Sequence, residues 1–332
     1  MKTPEDLRDR LLRGERLAVA RGISWAESGD RRFARFLGLV HDRVGRAWRT
    51  GVTGPPGAGK STLVNELVRT LRAADETVAV LAVDPSSPFS GGALLGDRIR
   101  MEERTTDPGV FIRSMASRKS HGGLARASVD ACDVMDAFGF DEILLETVGV
   151  GQAEYDVVSA CDTTLVVLCP GAGDGVQAMK SGLLEVADVL VVNKSDLPGA
   201  DRLAGDLEEA VHIRLAGTDR WQTPVVQCSA GKEQGIPEVL AQVQKHRAWL
   251  DQGRKVQLRA ARRVEQIQRV VFEHLHEEVW DARGWREQAR SWLESGMPPY
   301  DVAERILGEL ASKLPLGSEA AAKAKTSGAT RP

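Results

Sequence analysis

The sequence predicts an α/β fold: a mostly parallel sheet with helices on both faces, carrying helical extensions at its N- and C-terminal ends. Three observations predict it. Short apolar, β-branched runs recur at 78–83, 143–145, 164–168, 189–192 and 225–226, with helical patterns such as 63–71 and 176–186 between most of them. Several of these runs are continuously apolar rather than alternating, as expected of strands covered on both faces. The stretch GVTGPPGAGKST, 51–62, then places G-x-x-x-x-G-K-S between an apolar strand ending at Thr53 and a helix beginning near Lys60. Strand–helix alternation requires right-handed crossovers and gathers functional loops at the carboxyl ends of the strands.

Residues 1–46 read as a helical extension. Thr3, Pro4 and Asp6 make a cap, a first-turn proline and a returning carboxylate. Leu7, Leu11 and Leu12 fall on one helical face, and an amphipathic run at 31–44 turns Phe33, Phe36, Leu37 and Val40 inward. Residues 47–250 form the α/β domain, closed by a helix at 236–250. Residues 251–315 read as a helical arm: a pattern at 255–280 carries Val264, Ile267, Val271, Leu275 and Val279 along one stripe. A second begins near Asp301, capped with Glu304, and turns Ala303, Ile306, Leu307, Leu310 and Leu314 to one face. Trp249, Trp280, Trp285 and Trp292 suit packing within the chain or across a homodimer. The tail 316–332 has nothing to bury and reads as disordered.

Composition narrows the function. The 332-residue chain has a net charge of −3, so no basic field proposes nucleic acid as a partner. No apolar run approaches the roughly 18 residues of a membrane span. Glu5, Asp6, Asp9 and Glu15 argue against a targeting peptide. Cys132, Cys161, Cys169 and Cys228 stand far apart among apolar neighbours, which suggests buried, reduced thiols in a cytoplasmic protein.

The loop at 54–61 has the chemistry of a phosphate cradle. Its glycines permit a wrap that side chains would block, and the N–H groups of Gly57, Ala58, Gly59, Lys60, Ser61 and Thr62 can point at phosphate oxygens beside a helix N-terminus. Lys60 should reach the β and γ phosphates, and Ser61 should ligate Mg²⁺. VVNKSD, 191–196, selects the base. The carboxylate of Asp196 can accept from N1–H and N2–H₂ of guanine, which adenine cannot offer, so discrimination can reach the order of 10⁴. Lys194 can lie along the base, Asn193 can tie the loop to its neighbours, and the Ser229–Ala230 backbone can contact guanine O6. GTP and GDP are the expected nucleotides.

Hydrated Mg²⁺ needs acceptors for its waters. Glu146, closing the run LLETVGVGQ, can supply one through water, and Gly149 can offer its N–H to the γ-phosphate. Asp84 also suits a turn before proline, and Asp97, next to Arg98 and Arg100, also suits a surface ion pair. Gln152 is a possible water-orienting group, and Arg98, Arg113, Arg118 and Lys119 are possible charge stabilisers.

VDPSSPFSGGALLGDRIRM, FIRSMASRKSHGGLARA, LLETVGVGQAEYDV and PGAGDGVQAMKSGLLEVADVLVVNKSD, together with the N-terminal helices, resemble the MeaB/ArgK/MMAA family over about 5–310. These are GTPase chaperones of adenosylcobalamin-dependent acyl-CoA mutases such as methylmalonyl-CoA mutase. The resemblance implies a P-loop NTPase of the SIMIBI class, a homodimer through the C-terminal arm, and GTP turnover that gates loading of intact cofactor and release of damaged cofactor. It implies Lys60, Ser61, Asp84, Asp97 and Glu146 at the Mg·GTP site, with Asn193, Lys194 and Asp196 at the base. It also implies a signalling switch at 171–180 in which Gln177 and Lys180 act. Many relatives carry a second acid after Gly-Asp, where this chain has Gly175; a plain helix cap at Asp174 is the alternative for that segment.

Two other readings compete. A metal-insertion chaperone GTPase would show clustered Cys and His, whereas here only His274 and His276 are close and His121 lacks a cysteine partner. A small-molecule kinase would need a phospho-acceptor pocket and no guanine-selective Asp196.

Overall fold

Continuous apolar runs become strands buried on both faces. The computed structural model describes residues 2–84, 106–116, 123–147, 160–171, 182–215, 220–282 and 284–313. Among them, a seven-stranded sheet has the order β3-β2-β4-β1-β5-β6-β7. These strands are β1 (Trp48–Thr53), β2 (Val78–Asp84), β3 (Val110–Ala116), β4 (Glu142–Thr147), β5 (Thr163–Leu168), β6 (Val189–Val192) and β7 (Val225–Gln227). Every pairing is parallel, with Val52 opposite Glu146 on one side of β1 and opposite Leu165 on the other. β1 is therefore central, and the loop that follows it leaves the middle of the sheet at the carboxyl edge.

The described helices are α1 (Pro4–Leu12), α2 (Arg16–Ser28), α3 (Arg32–Val40), α4 (Lys60–Ala73), α5 (Gly123–Phe138), α6 (Leu183–Val186), α7 (Ala200–Leu215), α8 (Ile236–Leu250), α9 (Arg254–His276), α10 (Trp285–Glu294) and α11 (Pro299–Lys313). The chain divides into two compact units, Met1–Arg263 and Val264–Pro332.

In the first unit, α1, α2, α3 and α5 cover one face of the sheet through Leu7, Ile23, Phe36, Met135 and Leu145. Phe36 meets Trp25 edge to face, with ring centroids 6.1 Å apart. A fully buried side chain of this size contributes about 2–3 kcal/mol. On the opposite face, Leu63 and Val64 of α4 and Val239 of α8 join Trp48, Val80 and Leu144. Strand alternation puts Val166, Leu168, Leu190 and Val192 back on the first face, where α7 covers them. Thr3 caps α1 as expected, its hydroxyl accepting from Asp6 N at 3.2 Å. Leu12, grouped with Leu7 and Leu11 by spacing, instead faces solvent, because five residues at about 100° each turn it roughly 140° away from Leu7. The run at 31–44 is helical only to Val40 and closes in a 3₁₀ turn.

β3 is absent from the strands that hydrophobicity points to. Arg113 and Ser114 interrupt its apolar run, and Arg113 is tied to Ser24 and Glu27 of α2. All four cysteines are free and buried.

A charge cluster lies at the amino edge of the sheet. The guanidinium of Arg49, at the start of β1, donates to Asp133 at 2.7 Å and Asp136 at 2.9 Å on α5. Asp136 also accepts from the backbone N–H groups of Gly45, Arg46 and Ala47. From the root of α9, Arg263 reaches Asp133 at 2.6 Å, and Arg259 reaches Asp162 at 2.6 Å and Ala47 O at 2.8 Å. Burial alone would raise the Asp133 carboxyl; Arg49 and Arg263 outweigh it and hold it below its ordinary value.

Glu142, at the start of β4, shows the opposite balance. Burial pushes its carboxyl up to about 8 although Arg247 lies 3.1 Å away. A group with a raised folded-state pKa contributes stability that is complete below its unfolded value, near 4.5, and is lost as pH rises towards 8. Glu142→Gln should therefore flatten the decline in unfolding free energy between pH 5 and 8, by on the order of 4 kcal/mol. Parallel urea titrations of the two proteins would reveal it; curves of equal slope would contradict the assignment.

The second unit has its own small core of Val279, Trp285, Ala289, Val302 and Ile306, with Trp280, Trp292 and Leu310 partly buried against it. Two expectations change here. α11 begins at Pro299, so Asp301 lies inside its first turn rather than at its cap. Its inward face is Val302, Ile306 and Leu310, while Leu307 is exposed and Ala303 lies outside the core. α9 passes into a π turn at Glu277–Ala282 and exposes Val264, Ile267, Val271, Phe272 and Leu275. Leu314 and the tail lie outside the described residues.

Candidate nucleotide site

The loop between β1 and α4 needs glycine at two positions for space. Gly54 has φ +138°, and a Cβ there would stand 2.1 Å from Val167 O. Gly59, at φ +89° before α4, would place a Cβ 2.3 Å from Asn193 Nδ2. The loop is thus pressed against β5 and the turn after β6, and Gly57, Ala58 and Gly59 lead directly into the first turn of α4, where Lys60, Ser61 and Thr62 stand.

Lys60 is buried, and its ammonium donates to Gly54 O at 2.7 Å and Pro55 O at 3.0 Å. It is folded over the loop it belongs to, as a cation that would meet a phosphate there must be. The Ser61 hydroxyl is hydrogen-bonded to Glu146 Oε1, and Glu146 is buried near the end of β4. A hydroxyl and a carboxylate at the carboxyl edge are hard oxygen donors, which fits Mg²⁺ bound partly through water.

The turn after β6 is tied to this loop at two points. Asn193 donates from Nδ2 to Ala58 O at 2.8 Å and accepts on Oδ1 from Ala230 N at 3.0 Å. Lys194, at φ +56°, donates from Nζ to Gly57 O at 2.7 Å. Asp196 follows. Its Oδ1 accepts from the Ser229 hydroxyl at 2.6 Å, and its Oδ2 lies 3.1 Å from Lys232 Nζ. The Ser229 hydroxyl, with Lys232 second, holds the carboxyl below its ordinary value, so it is ionised at neutral pH.

The sequence brings most of these residues together, with differences. The Ser229 and Ala230 amides, expected at guanine O6, donate here to Gln234 O at 2.9 Å and to Asn193 Oδ1. It is the Ser229 side chain that reaches Asp196. Lys232 was not anticipated; its signal was only the short spacing from Ser229, and the 3₁₀ turn Ala230–Lys232 is what swings it onto Asp196. Arg113 is held by Glu27 and Ser24, away from the loop, so the pairing removes it from the charge stabilisers. Asp84 ends β2 at the expected edge. Its carboxylate, and Asp97, Arg98, Arg118, Lys119, His121, Gly149, Gln152, Asp174, Gly175, Gln177 and Lys180, lie outside the described residues and side chains.

A parallel sheet whose central strand feeds a glycine loop and a buried lysine, with a guanine-type turn bonded to that loop, is the architecture of the P-loop GTPases. Comparison narrows this further. The model of the family described as "Methylmalonyl Co-A mutase-associated GTPase MeaB" matches residues 19–284, and the chain belongs to that family. It is 37% identical over 278 residues to the Escherichia coli K12 protein named GTPase ArgK, covering 80% of this chain and 84% of that one. It is 35% identical over 246 residues to the Mus musculus methylmalonic aciduria type A homolog, mitochondrial, covering 69% of this chain and 59% of that one. A crystal structure titled as LAO/AO transport system kinase superposes with a TM-score of 0.69 at 27% identity, covering 92% of this chain and 97% of that chain. No described helix is long and apolar enough to cross a membrane.

Proposed function

We propose that this GTPase is a chaperone that gates cofactor loading, protection and reactivation of an adenosylcobalamin-dependent acyl-CoA mutase of the methylmalonyl-CoA mutase type. The family description supports the client class. The nucleotide reading is carried by one observation: Asp196 is bonded by Ser229 and Lys232 while Lys194, two residues earlier, bonds the phosphate loop. Base choice and phosphate grip are thereby built from one rigid piece.

In this reading Lys60 leaves its loop carbonyls for the β and γ phosphates, and Ser61 and Glu146 hold hydrated Mg²⁺ together with Asp84 and Asp97. The metal held by these groups would neutralise phosphate charge during transfer. Gly149 offers its N–H to the γ-phosphate, and the segment 171–180, through Gln177 and Lys180, carries the nucleotide state to the mutase. Residues 1–46 and 251–315 act as helical extensions of a 47–250 G domain in the cytoplasm. The exposed apolar stripe of α9 supports homodimerisation through the arm.

Steady-state phosphate release with GTP and ATP, with and without a cobalamin-dependent mutase, tests this. GTP should be preferred by at least ~100-fold in kcat/KM, and the mutase should accelerate turnover of GTP alone. Equal ATP turnover with phosphate appearing on a metabolite would replace the reading with a kinase.

A further inference from the structure

The loop that carries Lys232 is braced on three sides. Ser229 N donates to Gln234 O at 2.9 Å and Gln234 N returns to Ser229 O at 3.1 Å, closing a hairpin-like bridge across the 3₁₀ turn. Glu233, at φ +59°, is drawn to Arg69 of α4 at 2.8 Å, and Arg69 also bonds Glu66 at 2.7 Å. Behind it, Gly235 admits no side chain, since a Cβ would stand 2.6 Å from Gln227 O. The turn is fixed to β7 and to the helix of the phosphate loop, and Lys232 projects from it onto Asp196.

An aspartate that reads guanine must present both oxygens in one plane to two donors, N1–H and N2–H₂. A carboxylate has about four lone-pair positions, so each oxygen can accept a guanine donor while keeping one protein partner. Ser229 is that partner for Oδ1 and Lys232 for Oδ2. With the hydroxyl alone, the carboxylate could still rotate about the Ser229 contact; a second anchor on the other oxygen removes that freedom before the base arrives.

We propose that Lys232 is a positioning residue for guanine selection: it fixes the second oxygen of Asp196, so that the carboxylate meets the base already in its binding plane. This rests on the GTP reading of the site and adds the residue that sets its base specificity. Lys232 is more than half exposed, with 57% of its side chain open to solvent, so the effect is that of a surface pair acting through geometry.

Equilibrium titration of the full chain with fluorescent guanine nucleotides, together with GTP turnover, tests the proposal. Lys232→Met should weaken GTP and GDP binding about five-fold and raise KM correspondingly, with kcat at saturation unchanged. Lys232→Arg should restore wild-type binding. In an Asp196→Asn background, Lys232→Met should have no further effect, because nothing is left to position. Unchanged affinity in Lys232→Met, or an equal loss in both backgrounds, would overturn the role. ATP affinity matching GTP affinity in the wild-type protein would instead bring down the guanine reading on which it rests.

Discussion

Lys60→Ala lowers GTP turnover at saturating nucleotide by about 10²–10³-fold, as expected when one preorganised donor to developing phosphate charge is removed. The ammonium is buried and donates to two carbonyls of its own loop, at 2.7 and 3.0 Å. Both acceptors are backbone carbonyls of the phosphate loop itself, which a phosphate oxygen can replace as the lysine's partner. Losing the donor to two backbone carbonyls costs stability only about 1–3 kcal/mol, so folding and catalysis separate cleanly. Single-turnover phosphate release, paired with a melting curve, reads both quantities. A variant that folds and hydrolyses GTP at the wild-type rate would remove the phosphate loop from the mechanism.

Arg49→Met should destabilise the first unit by about 3–5 kcal/mol, because a buried pair broken on one side leaves uncompensated charge on the other. Asp133 and Asp136 have fully buried side chains, and Arg49 lies directly between them. At about 2–4 °C per kcal/mol for a unit of this size, the melting midpoint falls by roughly 10 °C. Arg263 retains Asp133 and three backbone amides retain Asp136, so the acids are not wholly orphaned. Adding Asp133→Asn should recover part of the loss, since it removes the charge left behind. Calorimetry on the single and double variants decides the matter; midpoints within two or three degrees of wild type would mean the cluster is dispensable for folding.

The phosphate loop and the Asn193–Asp196 turn were legible because each is a contiguous stretch whose chemistry follows from local backbone form. A glycine loop before a helix presents amides whatever surrounds it, and a carboxylate after a buried strand lies at the sheet edge by periodicity alone. The buried thiols were equally plain from their apolar neighbours. β3 was harder. Its middle is polar, and the reason is a helix nearly ninety positions earlier in the chain that takes up Arg113. Leu12 misled because it directly follows the buried Leu11 yet lies about 140° round the helix from Leu7, off the buried face.

What the linear chain determined by itself is the kind of fold and the identity of the groups gathered at the glycine loop and the Asn193–Asp196 turn, since both depend on short-range pattern. Only the folded molecule decided the order of the strands and the partners of isolated charges. Arg49 of β1, Asp133 of α5, Arg259 and Arg263 of α9, and Asp162 just before β5 meet at one edge of the sheet. Lys232 gains its meaning from a turn that aims it at Asp196. Coulombic and hydrogen-bonding preferences act through space over a few ångströms, and which charges come that close is settled by packing rather than by position along the chain.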